Sequence, residues 1–149
     1  MRWNRIVTGG LLAGIVFILF EAAAEPLFFG SQMEELFARL GLPTPSEGAM
    51  LGRVAALLVL GIMTVWLYAS LEPRYGRGRF TAVLAGGVVW ALTCLFAGAM
   101  LYSFGIFTAQ FFLMTAVYSL PQSVVSALAG SWVIRRRVAD GSDLAAARA

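Results

Sequence analysis

The sequence predicts an all-α protein, a bundle of four membrane-crossing helices, and three observations predict it. Four apolar stretches, near residues 6–29, 49–71, 80–102 and 109–134, are each long enough to cross a hydrocarbon layer. That layer is ~30 Å thick and takes about 20 residues at about 1.5 Å rise each. The connections are short, and the arginines gather on alternate ones. Of 149 residues 60% are hydrophobic and the mean hydropathy is +0.81, so four spans leave nothing for a separate soluble domain. Residues 1–137 are therefore expected to form one bundle. Residues 138–149 read as a polar, alanine-rich cytoplasmic tail with too little apolar surface to order itself.

The first span follows a short head carrying Arg2, Trp3 and Arg5. Ala22-Ala23-Ala24 resembles a signal-cleavage site, but Glu21 and Glu25 flank it and further spans follow, so it reads as part of a retained helix. Gly10 and Gly14 have GxxxG spacing, which lets helix backbones approach closely. Glu21 and Glu25 lie four apart and share one helix face. Counted from Phe29, they fall roughly 12 Å and 6 Å inside the hydrocarbon boundary.

In the first loop, Ser31 and Glu34 have capping-box spacing, and Met33, Leu36, Phe37 and Leu40 recur at helical intervals. Gly41 and Pro43 then stop the helix. An amphipathic helix of about ten residues on the outer membrane face is expected. Its polar face carries Glu34 and Glu35, so packing on the bundle rim explains it better than attraction to anionic lipid.

Arg53 in the second span, counted from Ala49, falls at about the depth of Glu25, so a Glu25–Arg53 ion pair is expected. Trp66 and Tyr68 read as an aromatic belt. Pro73 is expected to end this helix, with Gly76 and Gly78 supplying turns in a basic loop that holds Arg74, Arg77 and Arg79. The third span carries small residues Ala82 and Gly86, and an uncharged turn at 103–108 follows it. The fourth carries a polar cluster, Tyr118, Ser119, Pro121, Gln122 and Ser123. Pro121 frees the Val117 carbonyl, and Gln122 is expected to bond Thr64 or Thr93. Ser119, Ser123, Ala127 and Ser131 form a small-residue stripe for helix packing.

Charge sets the expected orientation. The head, second loop and tail hold Arg2, Arg5, Arg74, Arg77, Arg79, Arg135, Arg136, Arg137 and Arg148. The first loop sets Arg39 alone against Glu34, Glu35 and Glu47. By the positive-inside rule both termini lie in the cytoplasm, with Arg74, Arg77, Arg79, Arg135, Arg136 and Arg137 as the cytoplasmic anchor.

Composition excludes much chemistry. Histidine is absent and Cys94 is the lone cysteine, which removes intrachain disulfides, Cys/His metal sites and Ser-His-Asp or Cys-His catalysis. No catalytic residue, metal or cofactor is expected. The net charge of +3 and pI near 9.6 come from arginines beside span ends, where they meet anionic headgroups, so the partner is membrane lipid and not nucleic acid. Ionisable and polar groups inside a span mark candidate sites, here Glu21, Glu25, Arg53, Gln122 and Tyr118 as binding or proton-titrating residues.

Thr8-Gly9-Gly10-Leu11-Leu12-Ala13-Gly14 followed by Glu21, the stretch Leu40-Gly41-Leu42-Pro43, and Trp66-Leu67-Tyr68 leading to Pro73-Arg74-Tyr75-Gly76-Arg77-Gly78 carry a resemblance. The chain resembles an uncharacterised group of small bacterial inner-membrane proteins of four helices with a Pro-Arg-aromatic-Gly-x-Gly central loop. Arg77 stands where proline is expected between the two glycines. The resemblance implies a multi-pass protein of the bacterial inner membrane and no activity. Small multidrug transporters also have four spans and a glutamate in the first, but the strong charge bias here separates this chain from their dual-topology members. The leading expectation is a non-catalytic structural or accessory protein, self-associating as a homo-oligomer or joined to a larger membrane complex. The alternative is a small proton- or cation-coupled transporter using Glu21 and Glu25 with Arg53.

Overall fold

The computed structural model describes residues 3–43 and 45–146, with side chains described for 3–27, 29–43 and 45–136. Five helices and no strand make up the described residues: α1 Trp3–Ala24, α2 Gly30–Leu40, α3 Glu47–Tyr75, α4 Arg79–Ser103 and α5 Ala109–Ala146. Four segments are long and apolar enough to cross a membrane: Trp3–Leu27, Glu47–Tyr75, Arg79–Ser103 and Ala109–Arg136. They run antiparallel in sequence and close a ring, α1 against α3 and α5, and α4 against α5 and α3. Arg74, Arg77 and Arg79 of the second loop, with Arg135 and Arg136 of the fourth span, thus share one end of the bundle with Arg5, here called the basic end. Arg2 and Arg148 lie outside the described residues, as does the side chain of Arg137.

Helix starts and stops follow local chemistry. Pro26 has no N–H to give the Ala22 carbonyl. The chain widens there into a π-helical turn, Glu25–Phe29, and runs straight on into α2. Ser31 therefore lies inside a continuing helix, and the expected capping box does not form, because there is no free helix start to cap. α2 stops at Gly41, whose φ of 62° is left-handed. The Gly41 N–H donates to Ala38 O at 3.2 Å and the Leu42 N–H to Phe37 O at 3.0 Å, closing the helix end. Ser46 caps α3 by accepting from the Ala49 N–H at 3.3 Å.

Pro73 does not end α3, which continues to Tyr75. A proline in the last turn costs one backbone bond, and the Gly76 N–H still donates to Glu72 O at 2.9 Å. In the loop beyond, Arg77 is ion-paired with Glu72, and that hydrogen bond and charge hold its guanidinium above the ordinary value. The Thr81 hydroxyl donates to Gly76 O at 2.7 Å and fastens the start of α4.

The core is tightest toward the basic end, where Ile6, Ala13, Val65, Tyr68, Ala82, Ala85 and Ile134 pack together. Tyr68 belongs to this core, fully buried, and not to an aromatic belt; Trp66, two residues earlier on the other face, is the exposed ring. Small residues make the close approaches. A side chain at Gly61 would collide with the Gly14 nitrogen and Gly10 oxygen, and one at Gly86 would lie 2.8 Å from Ser123 O. Gly10, Gly14, Ala82, Gly86, Ser123, Ala127 and Ser131 are buried against sister helices, and Ser119 is half-buried. The stripes therefore face inward.

Candidate functional site

Toward the end opposite the arginines the helices part, and a cavity of about 290 Å³ opens between all four spans. Three helix irregularities surround it. The π-turn at Glu25–Phe29 ends α1, a second π-helical stretch at Ala91–Phe96 widens α4, and Pro121 interrupts the bonding of α5. Such turns displace the chain from regular α geometry and are frequent at functional sites. Thr93 and Cys94, from the α4 stretch, line the cavity together with Phe17 and Glu21 of α1 and Ser119, Gln122 and Ser123 of α5.

One polar network spans three helices and reaches the cavity wall at Glu21 and Gln122. Arg53 of α3 is ion-paired with Glu21 of α1, their side chains 50% and 33% exposed. The Gln122 amide of α5 donates to Glu21 Oε1 at 3.3 Å and to the Phe17 carbonyl at 3.4 Å. The Tyr118 hydroxyl donates to Phe20 O at 2.7 Å. Tyr118 also stacks edge-on against Phe20 and Phe29, with centroids 6.1 Å and 5.8 Å away, and Phe29 meets Phe111. These rings close the α1–α5 seam. The other side is open, because every described residue of α3 from Glu47 to Ala56 is exposed, as are Thr93 and Ala97 on the facing helix.

The arginine's partner is Glu21 and not Glu25, because Glu25 opens the π-turn, where the helix departs from regular geometry and its side chain is exposed. Glu25 is exposed at the π-turn and makes no ion pair with a described residue. Gln122 does not bond Thr64 or Thr93, whose hydroxyls donate to Leu60 O and Val89 O of their own helices at 2.8 Å. Glu21, Arg53, Gln122 and Tyr118 thus come together, and Glu25 stays apart. Among the described residues no cluster of three His, Cys, Asp or Glu side chains could hold a metal ion.

Sequence reasoning missed the open face of Ser123. It is 3% exposed and lines the cavity, and its hydroxyl makes no hydrogen bond to a described residue. Its neighbourhood with Gln122 was visible; the absence of a backbone partner was not. A smaller network joins α2 to the third loop, where Arg39 donates to Gly105 O at 3.2 Å and to Ile106 O. No family model, curated protein or solved structure matches the chain.

Proposed function

We propose that this chain is a small, non-catalytic carrier of the bacterial inner membrane, with both termini in the cytoplasm, moving a small solute with a proton or cation through the Glu21 cavity. One observation carries the reading: a carboxylate and an amide from two helices meet on the wall of a cavity between all four spans, and a guanidinium from a third helix pairs with that carboxylate. An ionisable group at hydrocarbon depth is costly, and it is retained where it pairs, lines a solute path, or both. The small-residue stripes argue in the same direction. Turned inward, they serve the bundle's own packing and offer no close-approach face to another subunit. The arginine-rich end supports the cytoplasmic assignment, and the resemblance through Pro73-Arg74-Tyr75-Gly76-Arg77-Gly78 supports the bacterial inner membrane. On this orientation α2 lies at the outer rim.

The test is solute-driven proton movement in proteoliposomes holding a trapped pH dye. Metal cations, amines, amino acids and sugars are added one at a time across an imposed pH gradient. At least one should dissipate the gradient with the wild-type chain and none with Glu21→Gln, while Glu21→Asp retains part of the flux. Gradient dissipation by a correctly folded Glu21→Gln chain equal to wild type would overturn the proposal.

The accessory-subunit reading keeps one observation in its favour. The first ten residues of α3, including Met50, Leu51 and Val54, are exposed, and Arg53 among them reaches across to Glu21 of α1. Purification from native membrane in mild detergent tests it: a stoichiometric larger chain held by this segment would displace the carrier reading.

A further inference from the structure

The solute's class rests on the carrier reading above and follows from the chemistry of the cavity wall. Among the described residues Glu21 is the only charged side chain on that wall, and Arg53 reaches it from outside the cavity. The polar groups around it offer lone pairs more than hydrogens. The Thr93 and Thr115 hydroxyls donate to Val89 O and Phe111 O, both at 2.8 Å. The Gln122 amide donates to Glu21 Oε1 and to the Phe17 carbonyl. What remains on the wall is a carboxylate, hydroxyl oxygens and an amide oxygen, all acceptors. Such a set suits a positively charged donor and repels an anion.

The two oxygens of Glu21 are held differently. Oε1 takes the Gln122 amide, and Oε2 takes the Arg53 guanidinium. Glu21 thus already holds a cation on an alkyl stem, and that cation is free to leave. Arg53 is half-exposed, six residues after Glu47 where α3 starts, in a stretch whose described residues are all exposed. Its long stem can carry the guanidinium toward the headgroups, so its release strands no buried charge. α3 packs on α4 chiefly along Arg79–Trp90. Beyond that the cavity opens sideways past exposed Thr93 and Ala97. The rest of the wall is largely apolar and includes the rings of Phe17, Phe107 and Phe112. Aromatic faces attract ammonium groups as well as apolar bodies.

We propose that the cavity binds a protonated amine with an apolar body, and that Arg53 is its resident competitor. The ammonium takes Oε2 of Glu21 as the guanidinium leaves. Hydroxyl and amide oxygens of the wall accept its remaining hydrogens, and the body lies against Leu57, Leu60 and the three rings.

The test compares three ligands of one body: 4-phenylbutylamine, 4-phenylbutanol without the charge, and 4-phenylbutyrate with the opposite charge. Binding to the full chain in lipid nanodiscs is measured by displacement of tritiated 4-phenylbutylamine, with empty nanodiscs correcting for partition into lipid. The amine should bind at least about tenfold more tightly than the alcohol or the acid. Glu21→Gln should abolish that preference. Arg53→Gln removes the competitor, so amine binding should tighten at least about fivefold with no gain for the alcohol. Arg53→Lys, which leaves a cation in place, should give no such gain. A pair that only braced the bundle would instead lose amine binding in Arg53→Gln. The proposal is overturned by an alcohol that binds wild type as well as the amine does, or by no amine binding at millimolar concentration. Unchanged or weaker amine binding by a folded Arg53→Gln chain overturns it too. Glu21-dependent proton flux driven by another solute, with no amine bound, would leave the carrier reading standing and remove this one.

Discussion

At the scale of single residues, the Tyr68 hydroxyl shows how this bundle trades polarity against packing. Tyr68 is fully buried beside Ile6, Val65 and Ala82, and its hydroxyl has no hydrogen-bond partner among the described residues. Leaving a buried hydroxyl unsatisfied costs about 1–3 kcal/mol, whereas the ring itself contributes packing. Tyr68→Phe keeps the ring and removes the unsatisfied atom. It should therefore leave the protein at least as stable, by up to about 1 kcal/mol. The measurement is helicity followed through denaturation in mixed detergent and SDS micelles. A loss greater than about 1 kcal/mol would mean that the hydroxyl is bonded in the folded protein. Ser126 offers a second instance, also buried with an unpartnered hydroxyl, and Ser126→Ala should behave in the same way.

At the scale of helices, the close approaches depend on particular glycines. Gly61 lies against both members of the Gly10/Gly14 pair, so the contact between α1 and α3 is a three-glycine seam. Any Cβ at Gly61 meets backbone, which cannot rotate aside. Gly61→Ala should cost about 1–3 kcal/mol, the usual range for overpacking a tight interior. At Gly52 and Gly87 an added Cβ would meet nothing within 4 Å, so alanine at either should be neutral or mildly stabilising in the same denaturation assay. Equal losses at Gly52 and Gly61 would show that helix propensity and not contact governs the seam. The GxxxG half of this seam was legible in sequence because its spacing is periodic within one helix. Its partner was not, because a lone glycine in the second span carries no sign of where it points. The same limit explains the ion pair. Glu21, Glu25 and Arg53 announced themselves as charges in apolar runs, but their pairing turned on local geometry. α3 starts at Glu47 through Ser46 capping, two residues before the expected span, and the π-turn at Pro26 sets Glu25 apart. Four spans were legible because each is a continuous apolar run; the π-helical stretch at Ala91–Phe96 was not, since Ala-Leu-Thr-Cys-Leu-Phe suits a regular helix equally well.

For the whole molecule, the distribution of arginine is an argument about orientation that the fold makes sharper. One end of the bundle gathers Arg5, Arg74, Arg77, Arg79, Arg135 and Arg136, and Arg136 lies over the Trp132 ring with 4.2 Å to its centroid. The opposite end has Arg39, whose guanidinium is bound to loop carbonyls, beside exposed Glu34, Glu35 and Glu47. Arginines in short loops next to span ends resist translocation, while acidic residues count for little. In a Cys94→Ala background, Arg39→Cys should react in intact cells with a maleimide that cannot cross the membrane, and Arg77→Cys should react only after the membrane is opened. Orientation set by charge should also respond to charge. Replacing Arg74, Arg77 and Arg79 with glutamine while placing arginine at Ser103 and Thr108 cuts the bias between the two ends. With cysteine in place of glutamine at position 77, a fraction of these molecules should then label there from outside. If position 77 labelled from outside in the single-cysteine chain with its arginines otherwise intact, the bundle would stand the other way up. Glu21 would then lie near the cytoplasmic face, and the proton or cation would enter the cavity from within the cell.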